Sequence, residues 1–112
     1  MAAALERLGG HTALFKRLLI MFAKDFEASQ RLVQEAVDAG QWATAAELVH
    51  KVRGAAGNLS ATELYEAATA LEDRLRAEHQ DLHGLLAAFQ HTLAIVMDSA
   101  RQEITGKSSD AA

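Results

Sequence analysis

The chain has 112 residues and a mass of 12.1 kDa, which is room for one domain of ordinary size. Half of the residues are hydrophobic, so a core can form and wholesale disorder is excluded. Cysteine is absent, which excludes disulfides, zinc–thiolate sites and thiol nucleophiles, and a net charge of −4 argues against a nucleic-acid platform. Proline is also absent, and 24 alanines and 15 leucines stand against eight valines and isoleucines together, a composition that favours helix over sheet. The longest apolar run, residues 18–23, is far short of the ~20 residues that span a bilayer. The N-terminus has no signal-peptide layout, and no Gly-rich phosphate loop is present. These features predict a small cytoplasmic helical domain with no direct membrane contact.

Taken in chain order, residues 2–8 form a short first segment that ends at Gly9 and Gly10. A long helix is predicted from about Thr12, with Leu14, Leu18, Met21, Phe22, Leu32, Val33, Ala36 and Val37 as its apolar residues. Gly40 suits the left-handed position after a helix C-terminus. The next helix spans residues 41–59, and Trp42 near its start reads as a core anchor. Ser60-Ala61-Thr62-Glu63 has the S-x-x-E form of a capping box, and predicts a third helix with Leu64, Ala67, Ala68, Leu71 and Leu75 facing inward. A turn at residues 79–81, with Asp81 as N-cap, leads to the last helix. Its stripe is Leu82, Leu85, Phe89, Leu93, Val96, Met97, Ala100 and Ile104. Met21, Phe22, Phe26, Phe89 and Met97 read as core. Short loops make sequential helices antiparallel. The expected fold is all-α, an antiparallel up-down four-helix bundle with a short N-terminal helix, as one domain over residues 1–105 followed by a flexible tail at 106–112.

The helix at 41–59 is unusual. At about 100° per residue, Ala45, Leu48, Val49, Val52, Ala55, Ala56 and Leu59 share one sector, the core stripe. Ala43, Ala46, His50, Gly54, Gly57 and Ala61 lie opposite. A solvent face is normally built of charged and amide side chains, whereas this one is Ala and Gly around a single imidazole. Each helical glycine costs about 0.8–1 kcal/mol relative to alanine. Their position opposite the stripe predicts a face kept bare for an approaching partner; the alternative is that the glycines permit close packing with a neighbouring helix of the same bundle. Arg53 lies one turn beyond His50, and Glu47 one turn before it.

The run Leu48-Val49-His50-Lys51-Val52-Arg53-Gly54-Ala55-Ala56-Gly57-Asn58-Leu59 resembles the signature of the histidine-containing phosphotransfer (HPt) domain of bacterial phosphorelays. That pattern is a His, a basic residue three positions on, a Gly, and a small-residue run ending in Asn-Leu. Residues 4–10, the stretch 18–26, Gly40-Gln41-Trp42 and Ala70-Leu71-Glu72 are also similar to segments of these domains, so the likeness covers about residues 4–104. Arg53 stands where Lys is usual and keeps the positive charge. Ser60 stands where Gly is common.

The resemblance implies that His50 accepts a phosphoryl group on Nε2 from a receiver-domain aspartyl phosphate and passes it to another receiver aspartate, with Arg53 stabilising the phosphoryl oxygens. It implies a carrier rather than an enzyme, a monomer with no cofactor of its own, and Mg²⁺ supplied by the partner receiver. A response-regulator receiver would dock on Ala43, Ala46, Glu47, Lys51, Gly54, Gly57, Asn58 and Ala61. The lead-in at residues 4–10 resembles that of members tethered to hybrid sensor histidine kinases. The chemistry suits the residue, because an ordinary histidine titrates near pH 6.5 and offers a neutral nitrogen nucleophile at pH 7.

Other readings are weaker. Glu47-x-x-His50 has the form used in di-iron bundles, but that chemistry needs two such pairs and two further carboxylates, all facing inward. The phosphoacceptor region of a histidine kinase has a proline soon after its His, and none exists here. The remaining alternative is a helical adaptor that uses the small-residue face for packing, with His50 incidental. His11, His79, His83 and His91 have no supporting constellation and read as solvated.

Overall fold

The computed structural model describes residues 12–78 and 80–105. Five helices lie among them: α1 (Thr12–Asp25), α2 (Ser29–Asp38), α3 (Trp42–Asn58), α4 (Thr62–Ala77) and α5 (Leu82–Thr105). No strand is present among the described residues. The expected N-terminal helix at residues 2–8, the Gly9-Gly10 break, His11, His79 and the tail at 106–112 lie outside them.

The long helix predicted from Thr12 is two helices. Residues 26–28 form a turn in which Ser29 N–H donates to the Phe26 carbonyl, and α2 restarts from Ala28. Tertiary packing explains the break. α1 packs chiefly on α5 and α2 on α3, so the two halves serve different neighbours. Together they form the first arm of a four-helix bundle, with α3, α4 and α5 as the others, and the closest packing joins α3 to α4. The all-α bundle reading is therefore correct, although its first arm is divided.

Two helix ends are closed in the same way. After α2, Gln41 N–H reaches the Ala36 carbonyl and Gly40 N–H the Val37 carbonyl, with Gly40 at φ +71° as expected. After α3, Ala61 N–H reaches the Ala56 carbonyl and Ser60 N–H the Gly57 carbonyl. Both are Schellman closures, which need a left-handed residue just beyond the helix. At the second, that residue is Ser60, at φ +55°. Ser60 is thus committed to ending α3, and the expected capping box does not form. Ala61 holds the N-cap position of α4 without a side-chain bond, and the Ser60 hydroxyl is buried with no hydrogen-bond partner. Asp81 precedes α5 at φ +56°, a left-handed backbone rather than the extended one of an ordinary N-cap.

The core holds Phe15, Leu19, Phe22, Val33, Ala45, Val49, Val52, Ala56, Leu59, Leu64, Leu71, Leu75, Phe89, Leu93 and Met97, among others. The expected stripes of α3, α4 and α5 face it as far as Ala100, with Leu48, Ala55, Ala67 and Leu85 at its margin; the Ile104 side chain lies outside the described ones. Trp42 and Phe26 are partly buried against it. Leu14, Met21 and Leu32, expected inside, are exposed, because α1 turns the line Phe15, Leu19 and Phe22 inward instead, and α2 the line Ser29, Val33 and Ala36. Gln30 of α2 and Gln90 of α5 clasp each other: each side-chain amide donates to the other residue's backbone carbonyl, at 3.2 and 2.9 Å.

Candidate functional site

α3 runs between α2 and α4 and carries His50 near its middle. Val49 and Val52 anchor the inner side of the helix with no exposed surface, which fixes its rotation and turns His50 out. The imidazole is about half exposed, at 52%. Its Nδ1 lies 3.0 Å from Oε2 of Glu72, on the facing side of α4. Glu72 is buried, with 7% of its side chain exposed.

Three basic side chains converge on this carboxylate. Arg76 Nε donates to Oε2 at 2.9 Å from one turn further along α4. Arg53 Nη1 lies 3.5 Å from Oε1, an ion pair too long to count as a hydrogen bond. His50 is the third. Oε1 itself is buried and accepts no hydrogen bond. Burial pushes the Glu72 carboxyl upward, but the bonds from Arg76 and His50, with the charges of His50 and Arg53, outweigh it and hold the group below its ordinary value. Glu72 is therefore ionised at neutral pH.

This settles the imidazole's proton. An ionised carboxylate has only acceptors, so the hydrogen between Nδ1 and Glu72 must sit on Nδ1. In the neutral ring Nε2 then keeps its lone pair, on the edge turned away from α4. That arrangement can make a nucleophile at Nε2 without first removing a proton.

The expected docking residues divide. Ala43, Glu47, Lys51, Gly54 and Asn58 are exposed around His50. A Cβ placed on Gly54 would meet nothing within 4 Å among the described residues, so none of the five helices occupies the space above it. Gly57 is different, because the Tyr65 ring of α4 lies 3.6 Å from where its Cβ would be. Its bareness serves packing inside the bundle. Ala46 and Ala61 were expected on the open face, but both are buried, with 1% and 7% exposure. The cause is the close approach of α4, which covers the flank of α3 carrying Ala46, while Ala61 lies beyond the end of α3 and starts α4. The bare face is thus narrower than the helical wheel implies.

Arg53 is where the sequence reading placed it, close to His50, with its guanidinium carbon 5.8 Å from the centre of the Tyr65 ring. Glu72 and Arg76 are the members of this cluster to which the sequence assigned no role. Ala70-Leu71-Glu72 is similar to a family segment, and beyond that the signal is an acid four residues before an arginine, which looks like any exposed helix pair. His83 and His91 are exposed, away from the core. No three His, Asp or Glu side chains are grouped closely enough to hold a metal ion among the described residues, and no helix there is long and apolar enough to cross a membrane.

A half-exposed histidine with one nitrogen tied to a buried carboxylate, on the outer face of a four-helix bundle, is an arrangement able to carry a group on imidazole. The family model of the Hpt domain matches residues 17–103, and the chain belongs to that family. Hpt domains carry out histidine phosphotransfer in phosphorelays, where they interact with receiver domains; they are carriers and not, in general, enzymes. Comparison with curated proteins and with solved structures finds no match.

Proposed function

We propose that His50 is the phosphoacceptor, taking a phosphoryl group from an aspartyl phosphate of one receiver domain and passing it to the aspartate of another. The observation that carries this reading is the bond from His50 Nδ1 to the buried, ionised Glu72, on a half-exposed side chain. Nε2 attacks phosphorus, the P–N bond forms as the P–O bond to the donor aspartate breaks, and the aspartate leaves as a carboxylate. No proton moves, because the Nδ1 hydrogen stays in place and the ring becomes a phosphoimidazolium beside Glu72. Transfer onward reverses these changes: the acceptor carboxylate attacks, and imidazole leaves with its Nδ1 proton already held.

Arg53 supplies a permanent cation one turn from His50, suited to charge-assisted bonds with phosphoryl oxygens. Ala43, Glu47, Lys51, Gly54 and Asn58 form the ground on which a receiver settles, and Gly54 keeps the approach open. The receiver brings the aspartate and its Mg²⁺. The chain acts as a monomer in the cytoplasm.

The test is incubation with a phosphorylated cognate receiver. Wild type takes up label and His50→Gln does not. Undiminished labelling of His50→Gln would overturn the assignment, and a wild type that takes up no label is the outcome for a helical adaptor in which His50 is incidental.

A further inference from the structure

The two arginines on Glu72 are held differently. Arg76 is fixed by a 2.9 Å bond from Nε, on the same helix and one turn away. Arg53 comes from the other helix, at 3.5 Å from an oxygen that accepts no hydrogen bond from it. Its second contact, the face of Tyr65, is weak and non-directional. Arg53 is therefore the cation that can leave, and Arg76 the one that stays.

A buried carboxylate without a bonded cation is strained by its own desolvation and captures whatever positive group is in reach. With Arg76 in place, Glu72 has a bonded guanidinium and an imidazole, and can let Arg53 go. Without Arg76, Arg53 is the only guanidinium within reach of the carboxylate among the described residues. Resting on the reading of His50 as phosphoacceptor, we infer that Arg76 is a positioning residue: by satisfying Glu72 it frees Arg53 to turn from the carboxylate to the phosphoryl group on His50. Arg76 touches neither the phosphoryl group nor the receiver in this role. It acts through Glu72, which gives the role a distinct signature.

The experiment uses phosphoramidate, a small phosphoryl donor that needs no receiver docking, and follows phosphohistidine formation in the full chain. Losing one charge-assisted contact in the transition state costs about tenfold or more in rate. Arg76→Gln is expected to lose about tenfold, while Arg76→Lys, which keeps a cation on Glu72, stays within about threefold of wild type. In a Glu72→Gln background, where no carboxylate remains to trap Arg53, Arg76→Gln is expected to change nothing further. In unphosphorylated Arg76→Gln, the Arg53 Nε–H resonance in a ¹⁵N-resolved NMR spectrum is expected to shift as the side chain is drawn onto Glu72. A wild-type rate for Arg76→Gln overturns the inference, as does a loss in Arg76→Lys as large as in Arg76→Gln. An equal loss with and without the Glu72 carboxylate also overturns it, since Arg76 would then act on the phosphoryl group directly. An unmoved Arg53 resonance does the same. These failures are separate from that of the phosphoacceptor assignment, which falls if His50→Gln is still labelled or if wild type takes up no label.

Discussion

Glu72 holds the proton on Nδ1 of His50, and its charge is also a condition of stability. Its carboxyl is held below the ordinary value of 4.5 in the fold. A group with a depressed folded pKa contributes stability that is full above its unfolded value and is lost as pH falls through the folded one. The wild type should therefore lose more stability than Glu72→Gln in urea melts taken at pH 7 and then at successively lower pH below about 4.5. Equal losses would mean that the carboxylate contributes nothing through its charge. His50, Arg53 and Gly54 were legible in the sequence, because three residues on one helix at fixed spacing make a pattern that the helical period exposes. Glu72 was not. It is 22 residues from His50 in sequence, and its tie to the imidazole exists only once α3 and α4 have packed. Taken alone, Glu72 and Arg76 are an i,i+4 pair of the kind found on any helix surface.

At the scale of elements, the bare face of α3 separates into two kinds of bareness. Above Gly54 there is open space, so Gly54→Ala gains helix propensity and loses no contact. It should stabilise the fold by up to about 1 kcal/mol in a urea melt. Gly54→Glu should fold as well as wild type but transfer poorly, since it sets a bulky anion one turn from His50. A destabilised Ala variant, or a fully active Glu variant, would count against the docking face. At the end of α3, Ser60 carries a left-handed backbone and a buried, unpartnered hydroxyl. Ser60→Gly removes both costs, and a gain of about 1 kcal/mol in a thermal or urea melt is expected. The sequence located this boundary correctly but assigned the serine to the wrong helix, because S-x-x-E marks a helix start only when the serine keeps an extended backbone. The break between α1 and α2 was illegible for another reason. Phe22, Phe26, Ser29, Val33 and Ala36 keep steps of three and four across the turn, so hydrophobic period alone runs straight through it.

For the whole molecule, the site is separable from the core that supports it. Phe89 has no exposed surface and sits in the central cluster, so Phe89→Ala should cost about 3–5 kcal/mol in a urea melt. His50→Gln removes the imidazole's bond to buried Glu72 but leaves Arg76 on it, and should shift the same melt by about 1–2 kcal/mol, less than the loss of Phe89. A large loss in the histidine variant would make the imidazole part of the scaffold. The four-arm architecture was legible because amphipathic stripes and short loops leave few alternatives. Which face of α1 turns inward was not, since Leu14 and Met21 compete with Phe15, Leu19 and Phe22 on one short helix. The clasp between Gln30 and Gln90 joins residues 60 apart. Each of the other main helix contacts joins elements that follow each other in sequence, and the ring closes where α1 meets α5. A ring with one such seam should open there first, as a bracelet opens at its clasp. Backbone amides of α1 are then expected to exchange with deuterium sooner than those of α3 and α4, which share the tightest packing. His50 and Glu72 lie on the side of the molecule that stays shut, so under the proposed function a chain caught with its seam open would still hold a phosphoryl group on His50.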